Sequence, residues 1–257
     1  MGGARGVSFL IDRSFEKVRL VPENYFGERV AERYDESAAD RFDPAVVGPT
    51  VDFLAALAGA GAALELGIGT GRIALPLAER GVQVHGVDLS EAMVAKLEAK
   101  PGAERIGVTI GDFATTRVEG TFSLAYLVFN TINNLTTQDA QVACFENVAA
   151  HLEPGGCFVI EVGVPNGKPV RVFNLSDTHV GVDEYDAATQ RLVSHHFSLV
   201  DGTWERLSIP FRSVSPAELD LMARLAGMTL RGRWADWDRA PFTSESTKHV
   251  SVWNKPS

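Results

Sequence analysis

A glycine-rich turn contains the residues of this sequence whose types and spacing are best suited to chemistry. It reads Glu65-Leu66-Gly67-Ile68-Gly69-Thr70-Gly71-Arg72, and it lies between a short apolar run and a helical pattern. Glycines let the backbone turn sharply and approach a ligand where a Cβ atom would collide, and the N–H groups that open a helix attract negative groups. The turn predicts a site for a nucleotide-like cofactor. A tight turn without a ligand is the alternative interpretation of such a loop on its own.

The spacing of the glycines indicates which cofactor the turn suits. Gly67, Gly69 and Gly71 stand at every second position, whereas dinucleotide-binding loops follow Gly-x-Gly-x-x-Gly so that a helix N-terminus meets a pyrophosphate. Glu65 precedes the first glycine, and its carboxylate would repel a pyrophosphate but attract an amino group or a sulfonium. The turn therefore favours S-adenosylmethionine over a nicotinamide dinucleotide.

Two further motifs follow the turn in order. They are Val87-Asp88-Leu89-Ser90-x-x-Met93 and Gly111-Asp112-Phe113. With these three motifs, the chain resembles the class I S-adenosylmethionine-dependent methyltransferases over about residues 44–165. More diffusely, it resembles the bacterial small-molecule members of that family, of the natural-product or amino-sugar type. The resemblance implies a methyltransferase that releases S-adenosylhomocysteine as its product.

The resemblance also implies which residues bind the cofactor. Asp88 would accept both ribose hydroxyls, since one carboxylate has lone pairs for two donors, and Asp112 would accept from the adenine amino group. Arg72 would reach the cofactor carboxylate, unless it only lies on a helix surface, and for Met93 ordinary core packing is the alternative to an adenine contact. The predicted cofactor-binding residues are Glu65, Gly67, Gly69, Gly71, Arg72, Asp88, Leu89, Met93, Asp112, Phe113 and Leu127.

The methyl acceptor is expected beyond the carboxyl ends of the fourth and fifth strands, because ligands of open α/β sheets bind there. In nucleic-acid amino-methyltransferases of this superfamily the fourth strand ends in Asn- or Asp-Pro-Pro-aromatic, and Phe129-Asn130-Thr131-Ile132 departs from that pattern. The chain carries 33 acidic against 24 basic residues, a net charge of −9, which does not suit a polyphosphate partner. We therefore expect a small-molecule acceptor at an amine or hydroxyl, and no nucleic acid.

Three residues are candidates for a catalytic base, if the acceptor must lose a proton. His195 and His196 are neighbours in a β-prone run, so that one side chain is expected to point inward and the other to solvent. Tyr34 resembles a tyrosine that related small-molecule enzymes place near the cofactor. No Lys–Glu, Cys–His or metal constellation is apparent, and a metal is not expected. Orientation should therefore contribute more to the rate than base catalysis does.

The elements that must position these residues alternate in the manner of a parallel sheet. Strands are predicted at Ala62–Leu66, Val82–Val87, Ile106–Ile110, Phe122–Val128 and Cys157–Val162, with helices that include Gly71–Arg80 and Ser90–Lys100. An antiparallel meander of Val180–Tyr185, Leu192–Val200 and Trp204–Phe211 is expected to lie on this sheet rather than in it. The fold class is α/β, Rossmann-like, with a helical cap at 1–43, a cofactor-binding core at 44–168, an antiparallel insertion at 169–214 and a return to the core at 215–257.

Composition narrows the class of protein further. The chain has 257 residues, 45% of them hydrophobic, and no apolar run approaches the roughly 20 residues of a membrane span, so that a cytoplasmic protein without a membrane partner is expected. Cys144 and Cys157 are expected to be reduced and buried. Two alternatives to methyl transfer stay open, a non-methylating enzyme and a regulatory protein with the same cofactor pocket. The meander has its own alternative, an interface within a homodimer.

Overall fold

The computed structural model describes residues 25–37, 39–200 and 202–257. Seven strands, numbered along the chain, form the main sheet: β1 (Ala63–Leu66), β2 (Val84–Asp88), β3 (Ile106–Ile110), β4 (Phe122–Leu127), β5 (Leu152–Gly163), β10 (Thr229–Trp234) and β11 (Lys248–Asn254). Their order is β10-β11-β5-β4-β1-β2-β3, with β1 to β5 parallel and β11 antiparallel to both neighbours. From the centre of the sheet, β1, β2 and β3 follow one another toward one edge, and β4 and β5 followed by β11 and β10 lie toward the other. The carboxyl ends of β1 and β4 therefore open the crevice where such sheets bind ligands.

Helices cover both faces of the main sheet. They are α1 (Glu28–Ser37), α2 (Pro44–Ala58), α3 (Ala74–Glu79), α4 (Glu91–Glu98), α5 (Gln138–His151) and α6 (Pro216–Leu225), with short 3-10 turns at Ala39–Phe42, Ala103–Arg105 and Thr131–Asn134. The start of α2 shows why its sequence is helical there: Pro44 fits the first helical position, and the Asp43 carboxylate accepts a hydrogen bond from Ala45 N at 2.8 Å.

Two apolar layers hold the helices to the sheet. Under α5 and α6, the rings of Phe145, Phe158 and Trp253 pack edge to face or tilted, with centroids 5.0 to 6.1 Å apart. On the other face, Leu54 of α2 and Leu77 of α3 belong to the second buried layer. Burial of such side chains stabilises the sheet by about 25 cal/mol per Å² of apolar surface. The ends of its strands are thereby held in place for the site.

A second sheet, which we call the insertion sheet, follows β5. It consists of β6 (Val170–Leu175), β7 (His179–Asp186), β8 (Arg191–Val200) and β9 (Thr203–Arg212), all antiparallel and in that order. Its last residue anchors it to the core: the buried Arg212 forms an ion pair with Glu218 at 2.5 Å and hydrogen-bonds Gln141. Strand β9 contacts the Thr131–Asn134 turn that follows β4, so that the insertion sheet lies beside the end of that strand.

The structure confirms the predicted fold class, the separate antiparallel sheet after β5, and the free, buried Cys144 and Cys157. The insertion sheet also contains a fourth strand, β6, which the three predicted β segments did not include. All its residues are exposed, and an edge strand without a buried face has no alternating pattern to reveal it. No helix among the described residues is both long and apolar enough to span a membrane.

Two predicted boundaries also shift. Helix α3 begins at Ala74 rather than Gly71, because Gly71 has a left-handed φ of 81°. Strand β5 begins at Leu152 rather than at Cys157. Gly155 N donates to Lys255 O, and Lys255 N donates to Gly156 O, which pairs this segment with the chain terminus. Of the predicted cap at 1–43, residues 1–24 lie outside the described residues.

Candidate functional site

The glycine-rich turn follows β1 directly and is held against β2. Gly67 N donates to Val87 O at 2.7 Å, and φ is 73° at Gly67 and 54° at Gly69. These left-handed values favour glycine. A Cβ atom at position 67 would also collide with the Thr131 side chain from the turn after β4. The glycines thus allow the loop to pass tightly between the ends of β1, β2 and β4.

Asp88, the last residue of β2, organises the loop. Its carboxylate accepts from Gly69 N at 2.7 Å through one oxygen and from Ser90 N at 2.8 Å through the other. Burial raises the pKa of Asp88, and these backbone hydrogen bonds oppose that increase. Since a carboxylate has about four lone-pair sites, each oxygen can still accept from a ligand hydroxyl.

Ser90 and Met93 support the turn from the start of α4. The Ser90 hydroxyl oxygen caps the helix by accepting from Met93 N at 3.2 Å, and it donates to Phe26 O at 2.5 Å. Met93 is buried, and its terminal methyl would lie 3.4 Å from a Cβ atom at Gly69. Met93 therefore packs against the loop itself.

Glu65 is buried within β1, with 3% of its surface exposed. The Tyr126 hydroxyl donates to Glu65 Oε2 at 2.9 Å. Burial is the largest cause that raises the pKa of Glu65 to about 8, opposed by the Tyr126 hydrogen bond and by the charge of Arg72. Burial therefore favours the uncharged form of this carboxyl near neutral pH.

The Glu65 carboxyl predicts a pH dependence of stability. It stays protonated in the native protein between its ordinary pKa of 4.5 and about 8, where it ionises in the unfolded chain. The native state binds the extra proton in this window, so that the free energy of unfolding falls as pH rises through it. We expect Glu65→Gln to flatten this slope in urea denaturation of the cofactor-free protein. Glu98→Gln, at an exposed position of α4, should keep it, and an unchanged slope in Glu65→Gln would contradict the assignment.

The third motif and its neighbours line the adjacent edge. Asp112, just after β3, accepts from Ala114 N at 2.8 Å, and Phe113 is buried beside it. Leu89 is 36% exposed at the end of β2, on the same side of the molecule as the carboxyl ends of the strands. Leu127 differs from the other predicted cofactor residues, because it is fully buried in the layer under α5.

The N-terminal helix α1 is joined to the glycine-rich turn. Asp35 accepts from the Thr70 hydroxyl at 2.6 Å and forms an ion pair with Lys100 at 2.5 Å. Burial raises the pKa of the neighbouring Tyr34 most, while the charges of Arg72 and Arg41 lower it. The structure thus brings Tyr34 to the cofactor loop. Asp35 was missed by the sequence reasoning, and its only signal was its place beside Tyr34.

The chain after β4 adopts an unusual backbone. Phe129 and Asn130 have φ values of 58° and 62°, and such left-handed residues cost about 1–3 kcal/mol each and cluster at functional sites. Glu161 holds them: its carboxylate accepts from Phe129 N at 3.0 Å, and its carbonyl accepts from Asn130 N at 3.1 Å. Asn130 Oδ1 accepts in turn from Gly163 N at 2.7 Å. The ends of β4 and β5 are therefore one hydrogen-bonded unit.

The Phe129 ring is 38% exposed at this edge, and two guanidinium groups lie over it. Arg41 stands 4.1 Å and Arg72 stands 5.5 Å from the ring centroid. Cation–π contacts of this kind contribute about 0.5–2 kcal/mol each. They join the N-terminal segment and the cofactor loop to the ends of β4 and β5. We call these two strand ends the acceptor edge, because the sequence analysis expects the methyl acceptor there.

His195 and His196 lie on opposite faces of the insertion sheet. His195 contacts the Ser208 hydroxyl at 2.8 Å and Glu184 at 3.6 Å, whereas His196 contacts His179 at 3.2 Å. Burial is the largest cause that lowers the pKa of His196, and the charges of His179 and Arg41 lower it further, while that of Asp183 raises it. Both histidines thus make these contacts within the insertion sheet.

Comparison with known proteins identifies this arrangement. A family model described as a methyltransferase domain matches residues 63–156. The CcbJ methyltransferase from Streptomyces caelestis is 37% identical, with 92% of this chain and 100% of that chain covered and a TM-score of 0.82. The chain belongs to the class I S-adenosylmethionine-dependent methyltransferases.

Two further relatives of this methyltransferase extend the comparison. A curated protein named cypemycin N-terminal methyltransferase, from a Streptomyces species, is 27% identical over 237 residues, which are 85% of this chain and 96% of that protein. The S-adenosylmethionine-bound amino pentose methyltransferase CalS10 from Micromonospora echinaspora shares the fold, with 21% identity, a TM-score of 0.65 and coverage of 86% and 96%. S-Adenosylmethionine is the cofactor of this methyltransferase.

The side chains at this edge fit that cofactor. The Asp88 and Asp112 carboxylates at the ends of β2 and β3 can accept from hydroxyl and amino groups, and the cation of Arg72 suits a carboxylate. When bound, the cofactor supplies a methyl group on a positively charged sulfur. The protein contributes orientation and exclusion of water, which depend on the rigid loop and on the covering helix α1.

Proposed function

We propose that this methyltransferase transfers a methyl group to a neutral amine or hydroxyl of a small natural-product metabolite. The backbone at Phe129 and Asn130 carries the proposal, because it presents an exposed aromatic ring at the end of β4 beside the insertion sheet. The exposed part of such a ring can pack against an apolar part of the acceptor. The Pro-Pro-aromatic sequence that suits a flipped base is missing from this position.

The proposal includes the cofactor contacts of this chain. We infer that Asp88 accepts the ribose hydroxyls, that Asp112 accepts from the adenine amino group and that Arg72 binds the cofactor carboxylate. The remaining contacts belong to Glu65, Gly67, Gly69, Gly71, Leu89, Met93 and Phe113, and Leu127 acts from beneath through packing. The assignment is supported by the positions of these residues, which follow the neighbouring ends of β1, β2 and β3.

Methyl transfer is an in-line displacement, so that the acceptor atom, the methyl carbon and the sulfur must lie on one line. The Glu161 hydrogen bonds hold the acceptor edge in one conformation, and the link from Asp35 to Thr70 holds helix α1 over the loop. A well-oriented pair of reactants reacts with effective molarities of about 10⁵ M or more. Orientation therefore carries most of the rate in this proposal, and Tyr34 serves as a covering residue near the cofactor.

An amine is the first acceptor to test, because the name of the cypemycin relative specifies an N-terminal amine. The test acceptors are matched pairs of small molecules. The two members of a pair are identical, except that one carries an amino group where the other carries a hydroxyl group. We expect release of S-adenosylhomocysteine and a labelled methyl group on the amine of a pair. If only the hydroxyl member of a pair is labelled, the enzyme prefers a hydroxyl acceptor to an amine. No product with any pair, from protein that binds the cofactor, would count against a small-molecule acceptor.

Three predictions about the whole protein accompany this function. We propose the division into segments 1–43, 44–168, 169–214 and 215–257, and a cytoplasmic location. A homodimer built on the insertion sheet is the alternative use of its exposed apolar residues, which include Leu199, Trp204 and Leu207. Light scattering of the purified protein measures that alternative directly.

A further inference from the structure

A buried hydrogen bond joins the strand before the glycine-rich turn to its neighbour in the main sheet. Glu65 of β1 and Tyr126 of β4 are partners in the parallel register of these two strands. The Tyr126 hydroxyl donates to Glu65 Oε2 at 2.9 Å. Glu65 is 3% exposed and Tyr126 is fully buried, so that the bond is shielded from water. The cofactor contacts proposed above include Glu65 but not Tyr126.

The hydroxyl group of Tyr126 lies in an apolar setting. The tyrosine belongs to the buried layer under α2 and α3, together with Leu124 and Val128 of the same stretch of chain. A phenylalanine would fill this layer without burying a hydroxyl, and a buried hydroxyl destabilises the fold unless it finds a partner. Burial raises the pKa of Tyr126 well above its usual range, and the charge and hydrogen bond of Glu65 raise it further. The hydroxyl therefore keeps its proton and acts as the donor.

The carboxyl that Tyr126 holds lies between the two ends of the glycine-rich turn. Glu65 stands two residues before the first glycine, and Ala74 is the first residue of α3, which follows the turn. Burial raises the pKa of Glu65 most, while the Tyr126 hydroxyl, the charge of Arg72 and the Ala74 backbone N–H lower it. The charge of Asp88 raises it. The strand that leads into the turn and the helix that leads out of it thus both act on this carboxyl.

The hydrogen bond gives the two carboxyl oxygens different tasks. A carboxylate has two oxygens with about four lone-pair sites, and the Tyr126 hydroxyl occupies one site on Glu65 Oε2. The bond also restricts rotation of the carboxyl group, because the tyrosine itself is fixed by the surrounding layer. A group that is already oriented loses less conformational freedom when a ligand binds. Glu65 Oε1 is then the oxygen that is left for the amino group of the cofactor.

We propose that Tyr126 is a positioning residue for S-adenosylmethionine, because its hydroxyl holds Glu65 Oε2 and thereby directs Oε1 to the amino group of the cofactor. This role rests on the cofactor contact that is proposed above for Glu65. Its effect falls on the amino-acid part of the cofactor. The adenosine part, which Asp88 and Asp112 would bind, is not affected. S-Adenosylhomocysteine contains both parts, whereas methylthioadenosine contains the adenosine and sulfur without the amino acid.

Calorimetry of the full-length protein with these two ligands tests the proposal. Tyr126→Phe should weaken binding of S-adenosylhomocysteine by about 3- to 10-fold and leave binding of methylthioadenosine unchanged. Tyr185→Phe, which removes a hydroxyl from β7 of the insertion sheet, is the matched control and should change neither. In a Glu65→Gln background, Tyr126→Phe should cost less than about 2-fold, because the group through which it acts is gone. Equal weakening of both ligands, or the full effect in that background, would overturn the positioning role.

Urea denaturation of the cofactor-free protein examines the hydrogen bond separately from the cofactor contact. The free energy of unfolding should fall with rising pH up to the Glu65 pKa of about 8. Since the Tyr126 hydroxyl lowers this pKa, Tyr126→Phe should extend the fall to higher pH, and Tyr185→Phe should not. An unchanged upper limit in Tyr126→Phe would overturn the hold of Tyr126 on Glu65.

The Glu65→Gln variant by itself separates failure of this inference from failure of the proposed contact. We expect it to weaken binding of S-adenosylhomocysteine and to leave that of methylthioadenosine unchanged. Unchanged binding of both ligands would show that the contact proposed for Glu65 is wrong, and the role of Tyr126 would be overturned with it. If Glu65→Gln is selective as expected and Tyr126→Phe binds both ligands normally, only the role of Tyr126 is overturned.

Discussion

Replacing residues 170–211 with a short glycine-serine linker is expected to abolish methyl transfer and leave binding of S-adenosylmethionine measurable. Strand β9 of the insertion sheet contacts the Thr131–Asn134 turn after β4, so that the sheet would form one wall of the proposed acceptor site. The cofactor loop, by contrast, depends on contacts with β2, α1 and α4. The linker ends before Arg212, because this buried cation pairs with Glu218 in the core. Removing one partner of a buried pair costs about 3–5 kcal/mol.

Two measurements are needed. Isothermal titration calorimetry measures the binding of S-adenosylmethionine, and the release of S-adenosylhomocysteine measures methyl transfer to the acceptor identified in the paired assay. Trp204→Ser is the control for the dimer alternative, because its side chain is exposed on the insertion sheet. If that variant alone becomes monomeric and inactive, the sheet acts through a dimer. Loss of cofactor binding together with an unfolded product would show that the sheet belongs to the folding core.

Asp88→Ala is expected to weaken the binding of S-adenosylmethionine by about 1–3 kcal/mol, or roughly 5- to 150-fold. The substitution removes the acceptor for Gly69 N and Ser90 N as well as the proposed acceptor for the ribose hydroxyls. Donors left without a partner in a buried site lose most of their hydrogen-bond energy. The glycine-rich turn should also become more mobile, because Asp88 is its anchor to β2.

Calorimetry measures this effect, with Asp52→Ala as the control. Asp52 is an acidic residue in an exposed ion pair with Arg80, whose loss costs little. Unchanged affinity in Asp88→Ala would remove Asp88 from the cofactor site. Binding of NADH in place of S-adenosylmethionine would contradict the argument from the glycine spacing.

Local sequence predicted the cofactor half of the site because each of its parts is short and continuous. The strand, the glycine-rich turn and the helix stand next to one another along the chain, so that spacing alone places Gly67 and Gly69 at a strand end. Ser90 likewise caps the helix that begins one residue later. Local hydrogen bonds and backbone conformation determine these features, and both are encoded by neighbouring residue types.

The acceptor half of the site was harder to predict from the sequence, because its contacts join segments that are far apart along the chain. The sequence indicated that Phe129 and Asn130 follow the fourth strand, but their left-handed backbone depends on Glu161, a residue of the next strand. Asp35 meets Thr70 across 35 positions. Such pairings have no local signal, because tertiary packing and not backbone propensity brings the residues together.

By itself, the sequence determined the class of fold and the cofactor. It also determined that His195 and His196 must face opposite ways, because side chains alternate along a strand. The tertiary structure alone decided that His195 contacts Ser208 and Glu184. It also decided that His179, Asp183 and Ser194 join His196, because the register of three antiparallel strands sets which side chains meet.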